Sequence, residues 1–389
     1  MIKMLTVHDV SMLARAREMR ALSCDALARM YLPERATFAF RVRKDGSDAR
    51  LEGESFRYTA IVLIGLAGAS KAQRTQALHG VAADELASKL LDRVIAVRPG
   101  NLGDVALSIW AARALLCDEA EKALPRLTEM LHAAAVHETV EIAWVVSALS
   151  ETAETGPAAE VREIALRRLL TAYNERTGLF AHWTDGGGPT LRRHVSCFAD
   201  LVYPIQALAR CHRSTDRPDL LKIANHAARE TCARLGPAGQ WWWHYDVRTG
   251  RVVEYYPVYA VHQDAMAPMA LFDLSAAGGE NHIDEIARGW GWLESAPELG
   301  GASLIDEQAG FIWRKVARRE PHKFVRKAQA VASRIHPDVR VPGVNALFPP
   351  GVIDDECRPY HLGWLLYAWP EDRLNALENT MRGEEDHGR

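Results

Sequence analysis

Six segments of this chain are almost free of charge past their first turn: "SFRYTAIVLIGLAGA", "GDVALSIWAARALL", "ETVEIAWVVSALS", "SCFADLVYPIQALA", "VHQDAMAPMALFDL" and "RPYHLGWLLYAW". Their apolar residues recur at three and four positions, the spacing of a helix. A helix that is apolar on every side is surrounded by protein. Six other segments, at 11–30, 83–97, 118–133, 158–173, 217–235 and 281–295, are amphipathic and charged, and they alternate with the first set. An inner ring of buried helices inside an outer ring of amphipathic ones satisfies both patterns. The predicted inner helices are 56–69, 103–116, 138–150, 196–209, 261–274 and 358–369. An amphipathic segment comes first, so it can close the outer ring beside the last.

The expected fold is thus all-α, a single (α/α)6 toroid domain spanning residues 1–389. Two segments depart from it. Residues 37–52 alternate apolar and polar side chains around Lys44, Asp45 and Gly46, which predicts a short β-hairpin. Residues 296–356 are more than a repeat needs. They hold an extra helix, "HKFVRKAQAVASRI", and a Pro-rich loop, "HPDVRVPGVNALFPPGVIDDE", expected to cross the mouth of the ring.

The connectors carry a repeat. "ERTGLFAHW", "GPAGQWWWHY" and "EQAGFIWRK" each place polar residues, a glycine and then aromatics, with Gly178, Gly239 and Gly310 in corresponding places. With the alternating helices, this pattern resembles the (α/α)6 toroids: the six-hairpin glycosidase-like enzymes, and the terpenoid cyclases and protein prenyltransferases. The likeness runs over about residues 10–370. It rests on pattern rather than on a diagnostic motif.

Composition narrows the partners. A formal net charge of −3 at pH 7 calls for neither nucleic acid nor an anionic membrane. No run approaches the roughly 20 apolar residues of a membrane span. Charges fall where a signal peptide needs its apolar run, so a cytoplasmic protein is expected. The six cysteines form no C-x-x-C pair, which points to free thiols rather than a zinc ribbon. There is no H-E-x-x-H motif, and neither a metal nor another cofactor is expected.

In a toroid of parallel inner helices the N-terminal ends meet at one mouth, where unpaired N–H groups and positive dipole ends gather. The candidate site is what each inner helix carries there. Arg57 and Tyr58 begin the first, Asp104 the second, Glu138 and Glu141 the third, and His194 and Asp200 the fourth. Tyr256, Tyr259, His262, Gln263 and Asp264 begin the fifth, and Tyr360 and His361 the sixth. Acidic and hydroxyl groups at a helix start are ordinarily caps, and a single histidine there is ordinarily structural. Histidines at three corresponding positions, and three consecutive polar residues at 262–264, argue for more. The expected catalytic set is His262, Asp264, His194, Asp200 and Glu141. The remaining residues, with Trp183 and Trp242 from the connectors, are expected to bind the substrate. Trp241, Trp242 and Trp243 are consecutive and cannot all point inward, so at least one is expected to line the mouth. "TDGGGPT" at 184–190 is flexible enough for a lid but lacks phosphate-loop spacing.

Three functions compete on these grounds. Paired carboxylates with stacking aromatics suit a carbohydrate-active enzyme, whether hydrolysing, eliminating or epimerising a sugar or oligosaccharide. A terpenoid cyclase or prenyl-binding protein is the alternative. No D-x-D-D occurs, though, and "DDECR" at 354–358 only begins like a diphosphate-binding motif, with Asp355, Cys357 and His361 as a crowded metal-like run. A non-catalytic scaffold is the third. A carboxylate-lined cavity, a dry aromatic tunnel and a filled ring are their respective signatures.

Overall fold

The computed structural model describes residues 7–46, 48–133, 135–152, 154–190, 192–320, 324–335 and 343–386. Part of the Pro-rich loop expected over the mouth, residues 336–342, lies outside these. The buried helices are α2 (Phe56–Ala67), α4 (Leu102–Ala114), α6 (Thr139–Leu149), α8 (Ala199–Thr215), α10 (Ala267–Ala276) and α13 (Pro359–Ala368). The helices around them are α1 (Val7–Met30), α3 (Ala83–Ala96), α5 (Leu124–Ala133), α7 (Pro157–Thr171), α9 (Pro218–Cys232) and α11 (Ile283–Ser295). A further helix, α12 (Phe324–Ile335), lies in the long segment before α13, and α14 (Glu371–Asp386) follows it.

Each buried helix packs on the next, from α2 through α4, α6, α8, α10 and α13 and back to α2. The closure from α13 to α2 depends on two glycines. A Cβ on Gly65 would collide with the carbonyl oxygen of Gly363, and one on Gly363 would stand 2.8 Å from that of Ile61. Only glycine allows two helix backbones this close. Each amphipathic helix lies against the buried helix that follows it or precedes it, with α1 on α13.

Two of the expected inner helices start differently. Residues 195–197 form a strand, β3, and α8 begins only at Ala199. Its partner β4 (His244–Asp246) pairs in turn with β5 (Val252–Glu254). The fifth inner helix opens with a π-helical turn, His262–Met266, before continuing as α10. Such turns add a residue per hydrogen-bonded ring and re-aim side chains, often at functional sites.

Within the 37–52 segment, β1 (Arg41–Asp45) and β2 (Asp48–Glu52) pair antiparallel, from Arg41 with Glu52 to Asp45 with Asp48. Late in the chain β6 (Val258–Tyr259), β7 (Lys315–Arg318) and β8 (Pro350–Asp354) form one sheet, and β9 (Glu356–Cys357) adds to β1. The 296–356 segment is thereby tied to the starts of the fifth and first inner helices.

The connector repeat is real, but its middle copy lies further along the chain than expected. The matching hairpins are 173–180, 245–252 and 305–312, so the middle glycine is Gly250 rather than Gly239. Gly178, Gly250 and Gly310 have φ of 69°, 73° and 70°. Four residues before each, Asn174, Asp246 and Asp306 accept backbone N–H groups of the turn. Three tryptophans in a row draw a sequence alignment toward Gly239, whose φ is 98°.

Candidate active site at the mouth of the helical ring

The mouth begins with one arginine. Ser55 caps α2 by accepting the N–H of Tyr58, which sets Arg57 in the first turn. Its guanidinium Nε donates to Asp104 at 2.9 Å and its Nη2 to Glu141 at 3.0 Å, joining the starts of three neighbouring inner helices. It also lies 5.0 Å above the Trp144 ring. Burial pushes the Asp104 carboxyl above its usual range, although Arg57 opposes this.

Glu138 precedes α6 and makes no capping bond with its side chain. Among the described residues its carboxylate has no hydrogen-bond or ion-pair partner. Burial raises its affinity for a proton, and Glu141 and Asp200 reinforce this while His182 and Arg57 oppose it. Beside it, His182 Nδ1 meets both oxygens of Asp200 at 3.1 and 3.0 Å. Asp200 is fully buried and also accepts the N–H of Cys197 at 2.7 Å. Burial alone would lower the His182 pKa, but Asp200 and then Glu138 hold it at about 9.

This pair has a pH signature. His182 has a folded pKa of about 9 against an ordinary 6.5. The stability it contributes is fully present below pH 6.5, declines from there, and is gone above about pH 9. His182→Gln should flatten the fall in urea midpoint across that window. An unchanged slope would show that the imidazole is not held as a cation.

The opposite wall is basic and aromatic. Glu356 is buried among Arg41 at 2.9 Å, Arg43 at 3.6 Å, Arg358 at 2.8 Å and Arg314. Burial would raise its pKa, but Arg314 and Arg358 hold it below the usual range. Arg358 donates to the Tyr58 hydroxyl at 2.8 Å and lies 4.6 Å over Phe40. Tyr58 and Tyr360 are 4.8 Å apart, and Arg314 lies 5.2 Å over Tyr259. Lys315 pairs with Asp354, and burial followed by Arg314 lowers its pKa.

Below these groups the ring is plugged by aromatics. Trp144 packs on Tyr203 at 5.1 Å, Tyr203 on Trp364 at 5.9 Å, and Trp364 on Trp110 at 5.7 Å. Trp364 Nε1 donates to the Tyr203 hydroxyl at 2.8 Å. All four are at most 4% exposed, so the mouth has a closed floor.

Several expected site residues sit elsewhere. Asp264, expected at the mouth, is wholly buried, with both oxygens within 2.9 Å of His361 Nε2. The π-turn accounts for this, because it sends Asp264 toward α13 and leaves His262 facing the aromatics. His262 lies 5.5 Å from Trp243 at an interplanar angle of 14° and 4.4 Å from Phe198. Burial lowers its pKa to about 3, so it is a neutral ring at physiological pH. It does not pair with Asp264. Gln263 is a brace, donating to the Tyr259 carbonyl at 3.0 Å and accepting the Trp241 N–H at 3.3 Å. His194, on the loop entering β3, bonds Ser333 of α12 at 3.0 Å instead of opening the fourth helix.

Tyr256 donates to Glu298 at 3.0 Å. Trp242 is buried against Tyr255 and Tyr256, and Trp241 is buried too. Of the three consecutive tryptophans it is Trp243 that stays half-buried beside Tyr259. Trp183 is half-buried, edge-on to His182 at 5.2 Å. The turn 184–190 packs on it closely enough that a Cβ at Gly188 would collide with its ring. The "DDECR" run does not gather a metal set: His361 is bound to Asp264, and Cys357 is fully buried.

Sequence reasoning missed His182 and Arg314. Each stands four residues after a hairpin glycine, Gly178 or Gly310. In the middle hairpin the equivalent residue is Glu254, which is buried and bonded to Arg318 at 2.9 Å. A correctly aligned repeat would have marked all three.

No family model and no curated protein matches the chain. Solved structures do. An unsaturated glucuronyl hydrolase specific for heparin aligns with a TM-score of 0.59 at 13% identity, covering 95% of this chain and 98% of its own. The GH76A alpha-1,6-mannanase from Salegentibacter sp. HEL1_6 aligns at 0.56 and 13% identity, covering 92% and 99%. A polysaccharide lyase aligns at 0.50 and 13% identity, covering 83% and 90%. At such identities the shared property is the fold, and the chain has the architecture of the six-hairpin glycosidase-like toroids.

Proposed function

We propose that this protein is a carbohydrate-active enzyme of the (α/α)6 type, with six inner and six outer helices, that cleaves a glycosidic bond in a saccharide bound at the mouth. The observation that carries this reading is Glu138. It is a carboxyl group with no partner among the described residues, biased toward its protonated form, close to Glu141 and to the Arg57 that Glu141 shares with Asp104. Glycoside cleavage requires two carboxyl groups, one to protonate the leaving oxygen and another to act as base or nucleophile, and the Arg57 guanidinium favours the ionised form of Asp104.

In this mechanism Glu138 protonates the glycosidic oxygen. Asp104 serves the opposite side of the sugar, with Arg57 fixing its direction and Glu141 sharing that arginine. His182 remains a cation paired with Asp200 and stabilises negative charge on the departing side. Trp183 and Trp243 offer aromatic faces to the sugar rings. His262 keeps Trp243 in place as a neutral ring. His194, Asp264 and His361 belong to the frame.

Arg314, Arg358 and Lys315 supply more positive charge than Glu356 and Asp354 balance, with Arg41 and Arg43 also on Glu356. That wall favours a sugar bearing a carboxylate or sulfate, and the glucuronyl hydrolase among the similar structures acts on such a sugar by its name. The polar mouth and closed aromatic floor favour a saccharide over a prenyl chain, and a carboxylate group without a partner among the described residues favours catalysis over a scaffold role. Among the described residues no helix is long and apolar enough to cross a membrane. We keep the expectation of a cytoplasmic enzyme acting on imported or intracellular oligosaccharides.

The test is a panel of uronate-terminated disaccharides, sulfated and unsulfated, beside neutral alpha-mannosides, followed by release of reducing ends. Turnover confined to the acidic members is expected. Turnover of neutral mannosides alone would remove the basic wall's role, and inactivity on every member would remove the reading.

A further inference from the structure

We propose that Cys232, His282 and Glu285 form a binding site for one divalent cation of the zinc class, which ties the end of α9 to the start of α11. The site lies in the outer ring, between α9 and α11, and does not depend on the proposed activity. Cys232 is the last residue of α9, His282 immediately precedes α11, and Glu285 is in its first turn. One donor atom from each lies within 4.8 Å of the others.

The histidine shows what is unusual here. His282 is only 8% exposed, and its Nε2 is buried with no hydrogen-bond partner. Nδ1 stands 3.6 Å from a Glu285 oxygen, and Nε2 stands 3.8 Å from a Glu280 oxygen. The first distance is too long for a hydrogen bond. It suits two atoms sharing a small ion: with bonds of about 2.0–2.3 Å, the donors of a tetrahedral site lie about 3.3–3.8 Å apart. The second distance suits a carboxylate that turns to accept the other ring N–H, which fixes the tautomer that leaves Nδ1 free for the ion. Glu280 is itself positioned, by Arg229 at 2.7 Å and by its own N–H to Asn225 at 2.8 Å.

Charge points the same way. Two carboxylates and a thiol meet one directly paired guanidinium. A cation reverses that balance. The S–H bond breaks, the proton leaves to solvent, and the thiolate bonds the ion. A thiolate, an imidazole and a carboxylate together select zinc or cobalt over magnesium or calcium. The other trio with donor atoms this close among the described residues, His182, Cys197 and Asp200, differs because His182 and Asp200 already bond each other at 3.0 Å. No metal is expected from the sequence, because this set joins residues too far apart for a local motif.

The probe is Co²⁺ added to the chelator-treated full-length protein. One equivalent should bind with the absorption of a tetrahedral site and a thiolate-to-cobalt charge-transfer band, and Zn²⁺ should displace it. Cys232→Ser should remove the charge-transfer band and weaken binding at least about tenfold, and Glu280→Gln should weaken it about tenfold while keeping the band. Cys197→Ser should retain both. Should Cys232→Ser fail to fold, Glu285→Gln, on a partly exposed residue, carries the test through the same loss of affinity. Absence of the band in the parent protein, its persistence in Cys232→Ser, or its loss in Cys197→Ser would overturn the site.

Discussion

Glu138→Gln is expected to lower kcat by about 10²–10⁴-fold, the usual contribution of a general acid, while KM changes little. The amide keeps the size and one acceptor of the carboxyl but cannot release a proton to the leaving oxygen. The basic limb of the parent pH–rate profile, set by loss of this proton, should disappear. Stability should move the other way. The folded carboxyl holds its proton more tightly than the unfolded one, chiefly through burial. Its contribution to stability is therefore present at low pH and lost as pH rises through the folded value. At neutral pH the variant should be at least as stable as the parent. Full turnover in Glu138→Gln would remove Glu138 from the chemistry. A large fall in stability would show instead that its carboxylate bonds a group that holds the fold.

Asp264→Ala should destabilise the protein by about 1–3 kcal/mol, read from its urea midpoint, because it leaves the buried His361 ring nitrogen without its hydrogen-bond partner. Asp264 is fully buried and takes His361 Nε2 at 2.8 and 2.9 Å. Its backbone carbonyl also accepts Trp369 Nε1 at 2.6 Å, and the substitution leaves that bond intact. The fifth and sixth inner helices would lose this carboxylate–imidazole hydrogen bond between them. Residual activity should scale with the fraction folded. A variant as stable as the parent but without turnover would return Asp264 to the catalytic role that its place in the sequence suggested.

The two carboxylates illustrate what a helical pattern can and cannot tell. Both open an apolar inner helix, and the sequence treats them alike. Glu138 sits on regular geometry, where N-terminal residues face the mouth as the periodicity requires. Asp264 sits in a π-turn, and one added residue in the hydrogen-bonded ring rotates it off the mouth and onto α13. Nothing local to "VHQDAM" announces that turn, and the aromatic rings packed on His262, Phe198 and Trp243, come from other parts of the chain.

The chain by itself determined the ring. Segments without charge over three helical turns must be surrounded by protein, and alternation with amphipathic segments leaves a closed double layer as the economical solution. It also determined that Arg57, Asp104, Glu138 and Glu141 would meet, since parallel inner helices bring their first turns together. Tertiary structure alone decided which of the meeting groups stay unpaired. Pairing depends on contacts between residues distant in sequence: His182 with Asp200, Asp264 with His361, and Arg314 and Arg358 around Glu356. Burial then acts on each group through those partners. That is why Glu138 holds its proton more tightly than an ordinary carboxyl, and why His262, which has no carboxylate beside it, is left neutral.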